Sequence, residues 1–378
     1  MPLRKTWDIF CNVVDNYGDI GVSWRLARQL ANELGRLVRL RVDDLESFRC
    51  IAPGLDPALE TQMHRGVQIC RWTSSPADAG PADAVIEAFA CHLPENYVEA
   101  MALRETKPAW INLEYLSAQG WVEESHALPS PHPRLALTKY FFFPGFTEKT
   151  GGLLRERDLI VRRDAFQRDP VAQAAFWHAL GVPPRAAGEM RVSLFSYANP
   201  ATASLLQEWS DAGQRVTCLL PVGPALESVQ VFFGTSGARQ LARGSLALYV
   251  LPFVEQDDYD KLLWACDVNF VRGEDSFLRA QWAARPFVWH IYPQQDDAHW
   301  PKLEAFLDLY TAELDPRSTA RVKYLWHAWN RGAAAGAPWR DFVGGRAELQ
   351  RHSTGWAQSQ AARSGLAENL AKFCDNLL

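Results

Sequence analysis

Apolar runs with the composition of buried strands alternate with stretches of helical spacing along most of the chain. Thr6 to Val14 is rich in β-formers and reads as a buried strand. Val22, Leu26, Leu30 and Leu34 then recur on one face and predict a helix. Further strands are predicted at Leu37–Val42, Val67–Trp72, Ala84–Phe89, Ala109–Tyr115 and Leu135–Phe143, with a helical stretch near Glu95–Arg104. From about 147 to 189 charge, proline and glycine dominate around one helical piece at Pro170–Leu180, as in a connection between domains. A second series follows: strands at Arg191–Tyr197, Arg215–Pro221, Leu246–Val254, Val268–Arg272 and Pro286–Tyr292, with helices between them. After residue 300 the spacing is mostly helical, and Leu366, Leu370 and Phe373 mark a last helix. The reading is α/β, two Rossmann-like doubly wound domains. Domain 1–155 comes first, 156–189 links it to 190–354, and 355–378 is a closing helix that packs back across both.

Candidate chemistry collects at the predicted strand ends. The stretch Val268–Arg279 turns from strand to helix through Arg272-Gly273, with Asp275 or Ser276 as the expected N-cap. A first helical turn with an arginine beside it suits a phosphate or diphosphate, and Glu274 stands at its mouth, able to accept hydrogen bonds from ligand hydroxyls. The alternative is a capping turn, with the acids there to satisfy the helix dipole. Phe195, Tyr197, Phe253 and Tyr292 also stand at strand ends, where a parallel sheet directs them to one crevice and where a nucleobase could stack. The first domain lacks G-x-G-x-x-G. Its loop Asp15-Asn16-Tyr17-Gly18-Asp19 carries two carboxylates across a glycine turn, as caps or as functional acids. Glu114 and Tyr115 end another strand, either as a solvated carboxylate and a core tyrosine or as residues of the cleft. Asp258-Tyr259-Asp260 has the form of a D-x-D metal motif, but Asp257 and Asp258 are better explained as N-cap residues, and no metal site is expected.

The 378 residues suffice for two domains, and a hydrophobic content of 48% excludes global disorder. A net charge of −5 speaks against a nucleic-acid binder and suits a cationic protein partner. The cysteines, 7 in number and without a C-x-x-C pair, suit reduced thiols in the cytoplasm. No signal peptide and no apolar run of membrane-spanning length is read, so the expected protein is soluble and independent of membranes.

Two sequential α/β units, the C-terminal one with a nucleotide-diphosphate pocket, resemble a GT-B glycosyltransferase whose two domains face a central cleft. Asp15-Asn-Tyr-Gly-Asp-Ile-Gly21, Arg272-Gly-Glu-Asp-Ser276 and Trp289-His-Ile-Tyr-Pro293 together resemble the protein-arginine rhamnosyltransferase family EarP, over essentially the whole chain. The resemblance implies inverting transfer of L-rhamnose from dTDP-β-L-rhamnose to an arginine nitrogen of translation elongation factor P, with no cofactor. It implies that Asp15 and Asp19 are an essential acidic pair with Asp19 the general base, and that Glu274 is an essential glutamate. Phe195, Tyr197, Phe253, Gln256, Arg272, Asp275, Ser276 and Tyr292 match the donor site. Tyr259 stands where the family often has phenylalanine, which keeps the ring and adds a hydroxyl. Asn16, Tyr17, Gly18, Glu114 and Tyr115 belong to the acceptor side. The rival readings are a GT-B transferase or epimerase acting on a small molecule, and a non-enzymatic nucleotide-sugar sensor or adaptor.

Overall fold

The computed structural model describes residues 5–13, 17–72 and 80–378, so Asp15 and Asn16 lie outside the described residues. The chain packs as two compact units, Met1–Arg157 with Gln360–Leu378, and Asp158–Ser359.

In the first unit the strands are β1 (Thr6–Cys11), β2 (Leu37–Val42), β3 (Thr61–His64), β4 (Val67–Arg71), β5 (Ala84–Ala88), β6 (Ala109–Leu113), β7 (Pro129–Pro131) and β8 (Thr138–Phe142). They form one sheet in the order β3-β4-β2-β1-β5-β6-β8-β7. All pairings are parallel except those of the edge strands β3 and β7. In the second unit β9 (Met190–Leu194), β10 (Val216–Pro221), β11 (Gln240–Arg243), β12 (Leu246–Leu251), β13 (Val268–Arg272) and β14 (Phe287–His290) take the order β11-β12-β10-β9-β13-β14. Only β11 is antiparallel.

Both sheets are doubly wound. Parallel strands are added outward from β1 through β2 to β4, then resume on the other side of β1 with β5, β6 and β8. The second sheet repeats this from β9. Every residue of β5, β6, β9 and β13 is buried, as expected of strands covered by helices on both faces. The reversals at β1/β5 and β9/β13 are the places where open α/β sheets bind ligands.

Most observed strands stop earlier than the sequence predicts. Phe89, Tyr115, Phe195, Tyr197, Phe253 and Tyr292 all follow a strand instead of ending one. The antiparallel edges β3, β7 and β11 are short and polar and leave no alternating apolar signal. Residues that read as a connection carry helices Leu159–Arg168 and Pro170–Ala179. Phe176 and Trp177 of the latter are buried with Leu219 and Leu251 in the core of the second unit. The closing segment holds two helices, Arg346–Ala361 and Leu366–Leu377. Phe373 of the last one packs 5.5 Å from both Tyr140 and Phe142 in the first unit, where Lys5 and Arg36 pair with Asp375. Among the described residues no helix is long and apolar enough to cross a membrane.

One buried ion pair fixes the helices beside β13. Arg279, on helix Asp275–Trp282, donates from Nε and Nη2 to the two carboxylate oxygens of Asp260 at 2.8 and 2.6 Å. Asp260 lies on helix Gln256–Ala265, and both side chains are 1% exposed. The second acid of the D-x-D pattern is thus held by a guanidinium, and Asp258 pairs with Lys261 at 2.7 Å. Removing one partner strands a buried charge, so Asp260→Ala should lower unfolding free energy by about 3–5 kcal/mol, while the apolar pair Asp260→Leu/Arg279→Met should cost far less. Urea titrations of the three proteins check this.

Candidate active site

In the second unit, Phe195 and Tyr197 follow β9 and Arg272 ends β13, so all three stand at the strand-order reversal. The guanidinium carbon of Arg272 lies 4.7 Å from the Phe195 ring centre and 4.8 Å from that of Tyr197. Two aromatic faces suit a weakly hydrated guanidinium and hold it in place away from water. Tyr197 meets His290 and Tyr292 edge-on at 5.2 and 5.5 Å. Phe253 and Tyr292 are 40% and 53% exposed, large rings left open beyond the carboxyl ends of β12 and β14.

The turn after Arg272 is built for a tight change of direction. Gly273 takes φ 62°, and its carbonyl accepts the Trp289 indole N–H at 2.8 Å. Trp289 itself stacks on Phe277 at 3.9 Å. The expected cap is not what forms. Glu274 occupies the N-cap position, and its side chain makes no capping hydrogen bond. The Ser276 hydroxyl instead accepts the Arg272 N–H at 3.1 Å and donates to the Arg272 carbonyl, knotting strand to helix. The helix's positive end faces this turn. Asp275 accepts the Gln256 amide at 3.3 Å, and Tyr259 packs edge-on against Phe195 at 5.6 Å with its hydroxyl sealed from solvent. Lys302 brings its amine to 3.9 Å from Glu274.

In the first unit the corresponding reversal carries acid. Asp19 is 3% exposed in the first turn of helix Gly18–Asn32, and the Tyr115 hydroxyl donates to its Oδ1 at 3.2 Å. Tyr115 is 40% exposed, which excludes the core-tyrosine reading. Phe89, just beyond β5, stacks on Tyr115 with centroids 4.6 Å apart and planes at 21°. Tyr17 is the helix N-cap, with its carbonyl accepting the Gly21 N–H at 2.9 Å, and Gly18 opens the helix. Glu114 accepts the Asn112 amide. Asp43, which sequence reasoning passed over, takes the Asn12 amide and the Val13 N–H at 3.0 and 2.9 Å and fixes the chain after β1. A cavity of about 540 Å³ opens beside it, lined by Trp72, His92 and Glu95 among others. The Cys11 thiol below is pushed up to about 12, chiefly by burial, and is inert.

Phe89, His290 and Lys302 were likewise missed. None breaks a sequence pattern: Phe89 continues an apolar run, His290 ends one, and Lys302 sits among helical residues.

Two successive doubly wound units, each with candidate groups at its strand-order reversal, are the architecture of the GT-B class. The fold agrees with that of an Acinetobacter baumannii MurG structure, 12% identical with a TM-score of 0.51 over 99% of this chain and 100% of that one. It agrees too with a Rickettsia africae glycosyltransferase at 8% and 0.56, over 99% and 98%. Within that class, residues 7–375 match the family described as Elongation-Factor P (EF-P) rhamnosyltransferase EarP, and the chain belongs to this family. A protein-arginine rhamnosyltransferase of Pseudomonas putida is 50% identical across 100% of both chains, and one from Pseudomonas aeruginosa 48% identical across 97% and 98%. A structure described as the basis for EarP-mediated arginine glycosylation of translation elongation factor EF-P superposes with a TM-score of 0.73 at 38% identity, covering 99% of this chain and 100% of that one.

His290 supplies a pH test of the second-unit site. Burial, then the nearby Arg272 and His299 charges, lower its pKa from 6.5 to about 4. Between those values the unfolded chain binds a proton that the folded protein refuses, so stability is full above pH 6.5 and falls as pH drops toward 4. The loss should reach about 3 kcal/mol, at ~1.36 kcal/mol per unit. Urea unfolding at pH 7 and pH 4.5 should show a smaller difference for His290→Gln than for the wild type.

Proposed function

We propose that this protein transfers L-rhamnose from dTDP-β-L-rhamnose to an arginine side-chain nitrogen of translation elongation factor P, with inversion. The observation that carries the reading is the opposite charge of the two strand-order reversals: a guanidinium between aromatic rings in one unit, a buried carboxylate held by a tyrosine in the other. Family membership and the activity of the relatives support it.

The thymidine diphosphate half of the donor binds in the second unit. Phe195, Tyr197, Phe253 and Tyr292 offer ring faces and edges to the base and sugar, and Gln256, Tyr259, Asp275 and Ser276 set the pocket around them. Arg272 and the positive end of helix Asp275–Trp282 counter the charge that grows on the diphosphate as it leaves. Glu274 accepts hydroxyls of the sugar and orients it. On the acceptor side Asp19, Asp15, Asn16, Tyr17, Gly18, Glu114 and Tyr115 receive the arginine, and the two acids pair with its N–H groups.

A free guanidinium has a pKa of about 12.5–13.8, so deprotonating it at pH 7 before attack would cost about 7–9 kcal/mol. Asp19 therefore acts in concert with attack. The arginine nitrogen forms its bond to the anomeric carbon while the bond to the diphosphate oxygen breaks. The nitrogen's proton passes to Asp19, and thymidine diphosphate departs with the bonding electrons. Asp15 shares the positive charge and keeps the guanidinium aligned.

Asp19→Asn should bind dTDP as the wild type does while transfer falls by at least about 10²-fold, the scale of a lost general base. Calorimetric titration with dTDP and intact-mass measurement of elongation factor P read the two effects. Retained turnover in Asp19→Asn removes it from the reaction, and a wild type that adds no deoxyhexose to the factor refutes the proposal. Arg272→Lys, which loses the planar stacked cation, should weaken dTDP binding in the same titration by about tenfold.

A further inference from the structure

The strained turn at the β1/β5 reversal has no part in the roles assigned so far. Phe89 and Ala90 are consecutive non-glycine residues at φ 58° and 56°. The turn is closed by the Cys91 N–H on the Ala88 carbonyl at 3.3 Å, and the Phe89 N–H stays paired with the Leu113 carbonyl at 2.7 Å. The Cys91 thiol donates to the Phe10 carbonyl at 3.2 Å, tying the turn to the end of β1. Turns with two successive left-handed residues are normally made from glycine, asparagine or aspartate. A bulky ring there persists only when its surroundings hold it, and such outliers gather at functional sites. What the turn achieves is visible: it lays the Phe89 ring nearly flat against Tyr115, the tyrosine bonded to Asp19.

We infer that Phe89 is a positioning residue for the acceptor: its ring backs Tyr115, and the stacked pair forms the platform on which the target guanidinium lies while Asp19 receives its N–H groups. The inference rests on the function proposed above and adds the basis of selectivity. A guanidinium is planar and stacks on an aromatic face while donating in its own plane, and a lysine ammonium has no such face. A flat ring pair beside a carboxylate matches arginine in both respects, and loss of the backing ring frees Tyr115 to turn away.

Steady-state transfer to elongation factor P, with dTDP-rhamnose as donor, tests this in the full-length protein. Phe89→Gly suits the left-handed backbone and removes the whole side chain, ring included. Phe89→Tyr keeps the ring. Phe89→Gly should raise the acceptor KM about tenfold, equivalent to ~1.4 kcal/mol, and leave donor KM and dTDP affinity unchanged. Phe89→Tyr should restore the acceptor KM to within about twofold of wild type. The melting temperature of Phe89→Gly should equal or exceed that of Phe89→Leu, because glycine relieves the backbone. An unchanged acceptor KM in Phe89→Gly, or an equal rise in both KM values, overturns the inference while the proposed function stands. A wild type that transfers nothing to the factor overturns both.

Discussion

A doubly wound sheet cannot place all its crossovers on one side. In this chain the connections from β1 run one way through β2 to β4, and those from β5 run the other way through β6 to β8. At the seam between β1 and β5 the outgoing loops diverge, and neither covers the strand ends between them. The second unit repeats the arrangement at β9 and β13. This topological gap is the constraint on which the candidate site depends. Asp19 and Phe89 are close to one seam, and Phe195, Tyr197 and Arg272 line the other, because those residues follow or end the strands that border each gap. Arg272 is 7% exposed and Asp19 3% exposed, so each charge is desolvated and needs partners. The partners differ in kind: ring faces for the cation, a phenol hydroxyl for the anion.

The seams would not hold their side chains without rigid flanks. The two helices beside β13 are cross-linked by a bidentate ion pair with no access to water, so Gln256 and Asp275, which they carry, meet at a defined distance. The serine knot at Ser276 and the indole bond of Trp289 fix the turn itself. The turn and its flanking helices are thus preorganised, which lowers the ordering entropy that any ligand bound there must overcome.

Much of this was readable in the sequence. The β/α alternation and both strand–loop–helix openings follow from period and turn chemistry, which also single out Asp19, Arg272, Glu274 and Ser276 as candidates, and the family motifs add Gln256 and Tyr259 to them. Strand ends were not readable, for a physical reason. Phe89, Tyr115, Phe195, Tyr197 and Tyr292 are apolar or aromatic, so a strand pattern continues through them although the hydrogen-bonded ladder has stopped. Capping was misread because Ser276 satisfies the backbone of Arg272 in place of its own helix. The edge strands were missed because an exposed edge needs no apolar face. His290 and Lys302 carried no local signal: their significance lies in register and in a helix far along the chain. His290 pairs with Arg272 across β13 and β14, a relation no spacing rule reveals.

The two seams also show two ways of bending a chain just past a strand. In the second unit the residue after β13 is Gly273 at φ 62°, where the missing side chain makes the left-handed turn cheap. In the first unit the residue after β5 has nearly the same φ, 58°, but is phenylalanine. Such a residue costs on the order of 1–3 kcal/mol where glycine would cost almost nothing. On the proposed function, the difference follows from what each seam receives. A diphosphate is recognised by backbone amides and an arginine, so the turn has to be bare. A guanidinium is recognised by a carboxylate in its plane and a ring across its face, so the turn has to carry a ring. On that reading, the strain at Phe89 is the backbone's side of an arginine-shaped site.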